Sequence, residues 1–135
     1  MPFVAENIID EVIDRFETAP GAFEEALRNM EKEQPVLLAW FFSEHFDLFT
    51  REEREYLEYL ALVVWRSIRD VCGPHPAVNE EQISETEDGN WERLEAVKSH
   101  KFRERVGIFF ENYPQEDLLA FIEDALLDDD EDAIV

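Results

Sequence analysis

Apolar and polar positions alternate along this chain with a period of three to four residues almost from end to end, the spacing that stacks side chains on one face of an α-helix. The densest stretch, Pro35 to Cys72, contains PVLLAWFFSEHFDLF followed by YLEYLALVVWRSIRDVC, and it predicts two helices with a turn between them. Thr50-Arg51-Glu52-Glu53 marks the start of the second helix as a capping box. The Thr50 hydroxyl accepts from the Glu53 N–H and the Glu53 carboxylate accepts from the Thr50 N–H. Tyr56, Leu57, Leu60, Val63, Val64, Ile68 and Val71 form the main stripe of that helix, and Leu62, Trp65 and Cys72 add apolar surface on other sides. A helix apolar over most of its circumference belongs in the middle of a domain, with other helices laid against it.

Upstream, Val4, Ile8, Val12 and Phe16 step by four with Ile9 and Ile13 beside them, which predicts an amphipathic helix from Phe3 to about Thr18. Pro20-Gly21 ends it, and Pro20 suits the first turn of a second helix running to Glu33. Gln34-Pro35 separates that helix from the next. Downstream, Gly73-Pro74-His75-Pro76 is the clearest break in the chain, because Gly73 fits a C-terminal cap and two prolines remove donors. Residues 79–90 are polar and acidic with Ile83 as their apolar anchor, and predict a short helix fraying at Gly89. Trp91, Leu94, Val97, Phe102, Val106, Phe109, Phe110 and Tyr113 continue a helical stripe, as one helix or as two with a joint near Ser99-His100. Pro114 suits the first position of a last helix facing the core through Leu118, Leu119, Phe121, Ile122, Leu126 and Leu127.

No Asn-Gly or Asp-Gly turn lies between alternating runs, so no strand pair is predicted. The reading is all-α: a single compact bundle of six or seven helices built from antiparallel helix hairpins. It spans residues 1–127 with a break at 73–78, followed by an acidic C-terminal tail at 128–135. The alternative is a short helical-repeat solenoid, and the absence of any residue pattern at a fixed period favours the bundle.

At 135 residues, 45% apolar and 13% aromatic, the chain has the size and nonpolar surface of one ordinary domain rather than the composition of a disordered one. Its net charge of −22 is extreme, and self-repulsion at that density opposes the compact state at low salt. The lone cysteine, Cys72, has no internal disulfide partner and suits a reducing compartment. The first residues carry no cationic leader, and the longest apolar runs are interrupted by Glu44, His45 and Asp47 or by Arg66 and Arg69, well short of the roughly 20 residues of a membrane span. The expectation is a soluble, cytoplasmic protein that does not enter membranes.

Candidate chemistry is sparse. Four glycines, none paired at nucleotide-loop spacing, exclude the standard phosphate loops. No serine lies in a Gly-x-Ser-x-Gly elbow, and Cys72, with His75 across a Gly-Pro turn, reads as a structural cysteine rather than a nucleophile. Carboxylate-rich helical bundles include di-iron proteins that use Glu-x-x-His, a motif missing here. The best substitute is His100 with Glu104 one turn later, a metal pair that lacks further ligands on its own helix because the preceding turn offers Ala96. His45, among Phe41, Phe42, Phe46 and Phe49, reads as a partly buried histidine rather than a catalytic base.

Charge is distributed unevenly. Residues 1–34 carry nine acids and three bases, 73–92 six acids and no base, and 114–135 nine acids and no base, whereas 93–113 carry three acids and five bases. Lys98, Lys101 and Arg105 step by three and four, which predicts one basic helical face closing against acidic segments of the same chain. Direct nucleic-acid binding is not expected from a chain this acidic. The tail Asp128, Asp129, Asp130, Glu131 and Asp132 reads as a solubilising run, or as a dock for a basic partner. The functional reading is a noncatalytic, acidic interaction module, with those tail residues and Trp91 as contacts for another protein, a basic one, and with no cofactor. The competing reading is a helical metal-binding protein or metal-dependent enzyme using His100 and Glu104.

Overall fold

The computed structural model describes residues 2–43, 47–98, 101–111 and 113–126. The fold is all-α: α1 Glu6–Thr18, α2 Ala22–Glu33, α3 Pro35–Phe41, α4 Arg51–Cys72, α5 Glu80–Glu95, α6 Phe102–Gly107 and α7 Glu116–Leu126, with a 3-10 turn at Ile108–Phe110. Among the described residues no element is a strand. The chain divides after Glu80 into two compact units, just past the break read from Gly73 to Val78.

In the first unit α4 is set by its two ends and its apolar stripe. The capping box forms at Thr50, with the Glu53 N–H donating to Thr50 Oγ1 at 3.1 Å and the Thr50 N–H donating to Glu53 Oε1 at 2.8 Å. Gly73 ends the helix at φ 77°, a conformation that glycine adopts without a Cβ penalty, and its N–H donates to the Arg69 carbonyl at 3.1 Å. Between these caps Leu60, Leu62, Val63 and Ser67 are buried. Leu57, Val64, Ile68 and Val71 are half-buried, and Tyr56, expected on the same stripe, is exposed. Ser67 is fully enclosed, and its hydroxyl donates to the Val63 carbonyl at 2.7 Å, the local bond that lets a serine sit inside a helical interface.

Helices α1 and α2 pack on α4 and on each other. Phe16 meets Phe23 edge-on at 5.5 Å and Tyr59 at 6.2 Å, while Phe23 stacks on Tyr59 at 6.1 Å. At the far end of α4 the Cys72 thiol donates to the Pro2 carbonyl at 3.6 Å, so α1 runs opposite to α4. Glu33 pairs with Arg69 at 2.8 Å, so α2 runs alongside α4 in the same sense. The centre is Met30, Leu38 and Leu62, ringed by Phe16, Phe23, Leu27, Leu37 and Trp65, with Val4, Ile9 and Val12 buried along α1. Three mutually packed helices make a bundle, whereas a solenoid stacks repeats that touch only their neighbours.

Several boundaries differ from the periodicity, each for a local reason. Gly21 takes φ 79° as the residue before α2, so the helix cannot include Pro20 and starts at Ala22. Pro35 occupies the first turn of α3, but this helix stops at Phe41 instead of running on toward Phe49. There the Phe42 and Ser43 amides bond the Ala39 and Trp40 carbonyls at 3.1 Å each, and the Ser43 hydroxyl donates to the Trp40 carbonyl at 2.6 Å. These bonds satisfy the terminal carbonyls and close the helix.

Gln34, the single residue between α2 and α3, is 5% exposed. Its Nε2 donates to the Pro76 carbonyl at 3.0 Å and to the His75 carbonyl at 3.4 Å, while its Oε1 accepts from the Val78 N–H at 2.9 Å. One side-chain amide thereby stands in for backbone partners that the proline-containing segment cannot supply itself.

The second unit holds α5 to α7. Helix α5 passes through Gly89 and Asn90 without interruption, where fraying was expected, and none of its residues is buried. It ends at Glu95, the Val97 N–H turning back to the Leu94 carbonyl at 3.1 Å. The joint to α6 thus falls between residues 96 and 101, and Ser99 and His100 lie outside the described residues. Helix α7 starts two residues beyond Pro114, with the Leu119 N–H donating to the Gln115 carbonyl at 3.2 Å. Leu118 and Glu123 are its buried positions, Leu126 is exposed, and Leu127 lies outside the described residues.

Leu62→Ala and Leu60→Ala each destabilise the fold by about 2–5 kcal/mol, through lost transfer energy and the cavity left behind. Leu48→Ala, at a residue 99% exposed, changes it by no more than about 0.5 kcal/mol. Denaturant titration of the three variants checks both values. Gln34→Ala removes the bonds to His75, Pro76 and Val78 and costs about 0.5–1.5 kcal/mol, the usual net worth of a hydrogen bond whose partners water can reach. Gln34→Glu costs more, because a carboxylate would face the His75 and Pro76 carbonyls, and amide exchange at Val78 accelerates in both variants.

Candidate functional site

The residues singled out by sequence do not form one site. Trp91 lies on α5 and is 57% exposed, whereas Leu94 and Val97, its expected stripe-mates, are half-buried. Asp128, Asp129, Asp130, Glu131 and Asp132 lie outside the described residues, as do His45 and His100. Glu104, the remaining half of the metal pair, is exposed on α6. Among the described residues no three His, Cys, Asp or Glu side chains gather as a ligand set. Cys72 faces the Pro2 carbonyl and His75 is exposed.

The expected basic face is corrected by the structure. Residues 97 and 98 are not helical, so Lys98 shares no helix with Arg105; Lys101 stays one turn from Arg105, whose N–H donates to the Lys101 carbonyl at 3.0 Å at the start of α6. Arg93, from the same basic stretch, turns toward its own unit. Its Nη2 donates to the Ile108 carbonyl at 2.9 Å, and its guanidinium carbon stands 4.9 Å from the centre of the Phe109 ring, a cation–π contact that ties α5 to the 3-10 turn.

The feature that periodicity missed is a groove in the first unit, where the end of α3 faces the first two turns of α4. It holds about 360 Å³ and is lined by Phe41, Phe42, Phe49, Arg51, Arg54, Glu55 and Glu58. Around it large apolar side chains meet water: Phe42 is 54% exposed, Phe49 and Tyr56 45% each, and Leu48 almost completely. Phe42 and Phe49 both lie outside α3, which ends at Phe41.

Charge around the groove is arranged in pairs with one remainder. Arg51 Nε bonds Glu55 Oε1 at 3.0 Å, and Arg54 lies 3.7 Å from Asp47. Glu58 has no ion pair to a cation among the described residues. Burial raises its carboxyl above the ordinary value, and the Glu55 carboxylate raises it further. Nearby, Tyr59 is also raised, by burial in the Phe16–Phe23 cluster and then by Glu17 and Tyr56.

A second cleft of about 220 Å³ lies where Arg15, Phe16, Ala22, Glu25, Ala26, Asn29 and Arg66 converge. Its two guanidinium groups share the single carboxylate of Asp70, and Glu25 is the other acid on its wall. Among the described residues no helix is long and apolar enough to cross a membrane.

The raised carboxyl of Glu58 carries a sign that can be measured. The folded chain holds this proton to higher pH than the unfolded chain, so the contribution to stability is complete below the unfolded pKa and is lost as pH rises through the folded one. Glu58→Gln therefore raises the melting temperature at neutral pH and gives no gain near pH 3, where the carboxyl is protonated in both states. Thermal melts of both proteins across this range read the effect directly.

The chain matches no protein-family model, no curated protein and no solved structure, and its functional reading rests on its own geometry and electrostatics.

Proposed function

We propose that this protein is a noncatalytic interaction module that binds another protein, a basic one, in a reducing cytoplasmic setting. The observation that carries this reading is α5. It presents seven acids against one base in the sequence EEQISETEDGNWERLE and buries none of its residues, while Trp91 stands 57% exposed among the carboxylates. A helix with no buried position contributes little to a core, and its composition suits a surface that attracts cations and offers one large aromatic anchor. The acidic run Asp128 to Asp132 adds to the same field, and a net charge of −22 accelerates encounters with a basic partner and slows those with nucleic acid.

The test is capture from native extract with the full chain immobilised. Basic proteins are retained at about 0.1 M salt and released at about 0.5 M, since the Debye length falls from about 10 Å at 0.1 M to about 3 Å at 1 M. Trp91→Ala weakens the retention, and the same rise in salt increases the melting temperature of the free protein by screening its self-repulsion. Retention indifferent to salt, or confined to acidic proteins, counts against the proposal.

A further inference from the structure

The groove at the head of α4 allows the partner to be described more closely, on the reading that this chain binds a basic protein. We propose that the groove is the docking site for a basic amphipathic helix of the partner. One apolar side chain of that helix fills the space between Phe41, Phe42 and Phe49, and a lysine or arginine one turn away pairs with Glu58.

Three features support this. The volume of about 360 Å³ lies within the roughly 300–1,000 Å³ of sites that accept a bound group, and its phenylalanines supply the apolar walls that a helix-in-groove contact uses. Phe42 and Phe49 remain about half exposed, so apolar surface stays in water until something covers it. Charge then selects the occupant. Arg51 and Arg54 already face Glu55 and Asp47, which leaves Glu58 as the groove carboxylate that an incoming cation can neutralise. An acidic or neutral helix would bring no counter-charge to it. A second copy of this chain would set two charges of −22 against each other, a repulsion that this small groove is poorly placed to offset.

The probe is a fluorescein-labelled synthetic helix of leucine and lysine with its leucines on one face, titrated onto the full chain. Two controls accompany it: a lysine–alanine helix of equal charge and a leucine–glutamate helix. The leucine–lysine helix binds, with amide shifts in 15N NMR spectra concentrated between residues 41 and 58. Phe49→Ala weakens binding about tenfold and Phe42→Ser does so comparably, as truncated anchors do. Glu58→Gln weakens it severalfold while raising the melting temperature, whereas Glu87→Gln on α5 removes the same charge with little effect.

Equal binding of the lysine–alanine helix, shifts confined to α5, or equal losses in Glu58→Gln and Glu87→Gln reduce the association to net charge and overturn the proposal. Self-association abolished by Phe49→Ala gives the face to a second copy and overturns it too. Extract capture separates this failure from failure of the broader reading. If Phe49→Ala still retains the same basic proteins in a salt-sensitive manner, the groove assignment falls and the interaction module stands.

Discussion

The first unit depends on the burial of one side of α4. Leu62, Val63 and Ser67 are completely enclosed and Leu60 nearly so, and α1 and α2 both use this helix as their wall. Nonpolar burial of this kind is the term large enough to overcome the repulsion in a chain of net charge −22. The ion pairs cannot take its place. Glu33–Arg69 and Arg66–Asp70, with side chains about a quarter to a third exposed, each contribute on the order of 0–1 kcal/mol. Arg66–Asp70 lies within α4, whereas Glu33–Arg69 joins the end of α2 to the end of α4, and the aromatic contact of Phe23 with Tyr59 joins the start of α2 to an earlier turn of α4.

Polar groups inside this unit are few and individually satisfied. Ser67 returns its hydroxyl to the backbone of its own helix, so it shapes the interface without needing a distant partner. Gln34 reaches across more than forty residues of sequence to hold the segment after α4. Its amide supplies both donor and acceptor where Pro74 and Pro76 leave the backbone short of donors. The segment after α4 is thus without regular structure and still tied to Gln34.

Exposed aromatic surface and excess acid occur on both units in different forms. The first unit has a groove with paired arginines and, among the described residues, one carboxylate left over; the second has a helix with seven acids in sixteen residues and Trp91 beside its carboxylates. Keeping Glu58 ionised in a partly desolvated position works against the stability of the free protein. The docking proposed for the groove would relieve this cost by bringing a cation to Glu58.

Sequence alone determined the helical character of the chain and the features whose causes are local. The capping box at Thr50, the left-handed cap at Gly73, Pro35 in the first turn of α3 and the break that follows Cys72 depend on neighbours within four residues, so their residue types identify them directly. The same reasoning misjudged α3, because an apolar run such as PVLLAWFFSEHFDLF has no period to show where a helix stops, and the stop is made by Ser43 bonding back to Trp40. It wrongly added Lys98 to the basic face for a related reason: a shared face requires a helical backbone, and at residues 97 and 98 it is not helical. What only tertiary structure decided was which apolar residues are enclosed and which meet water. Phe16, flanked by Arg15 and Glu17, packs against Phe23 and Tyr59, whereas Phe49, which follows Leu48, lines the groove. Burial is a property of what lies opposite a side chain, and for Phe49, as for the amide of Gln34, the opposing groups come from elements that local sequence does not specify.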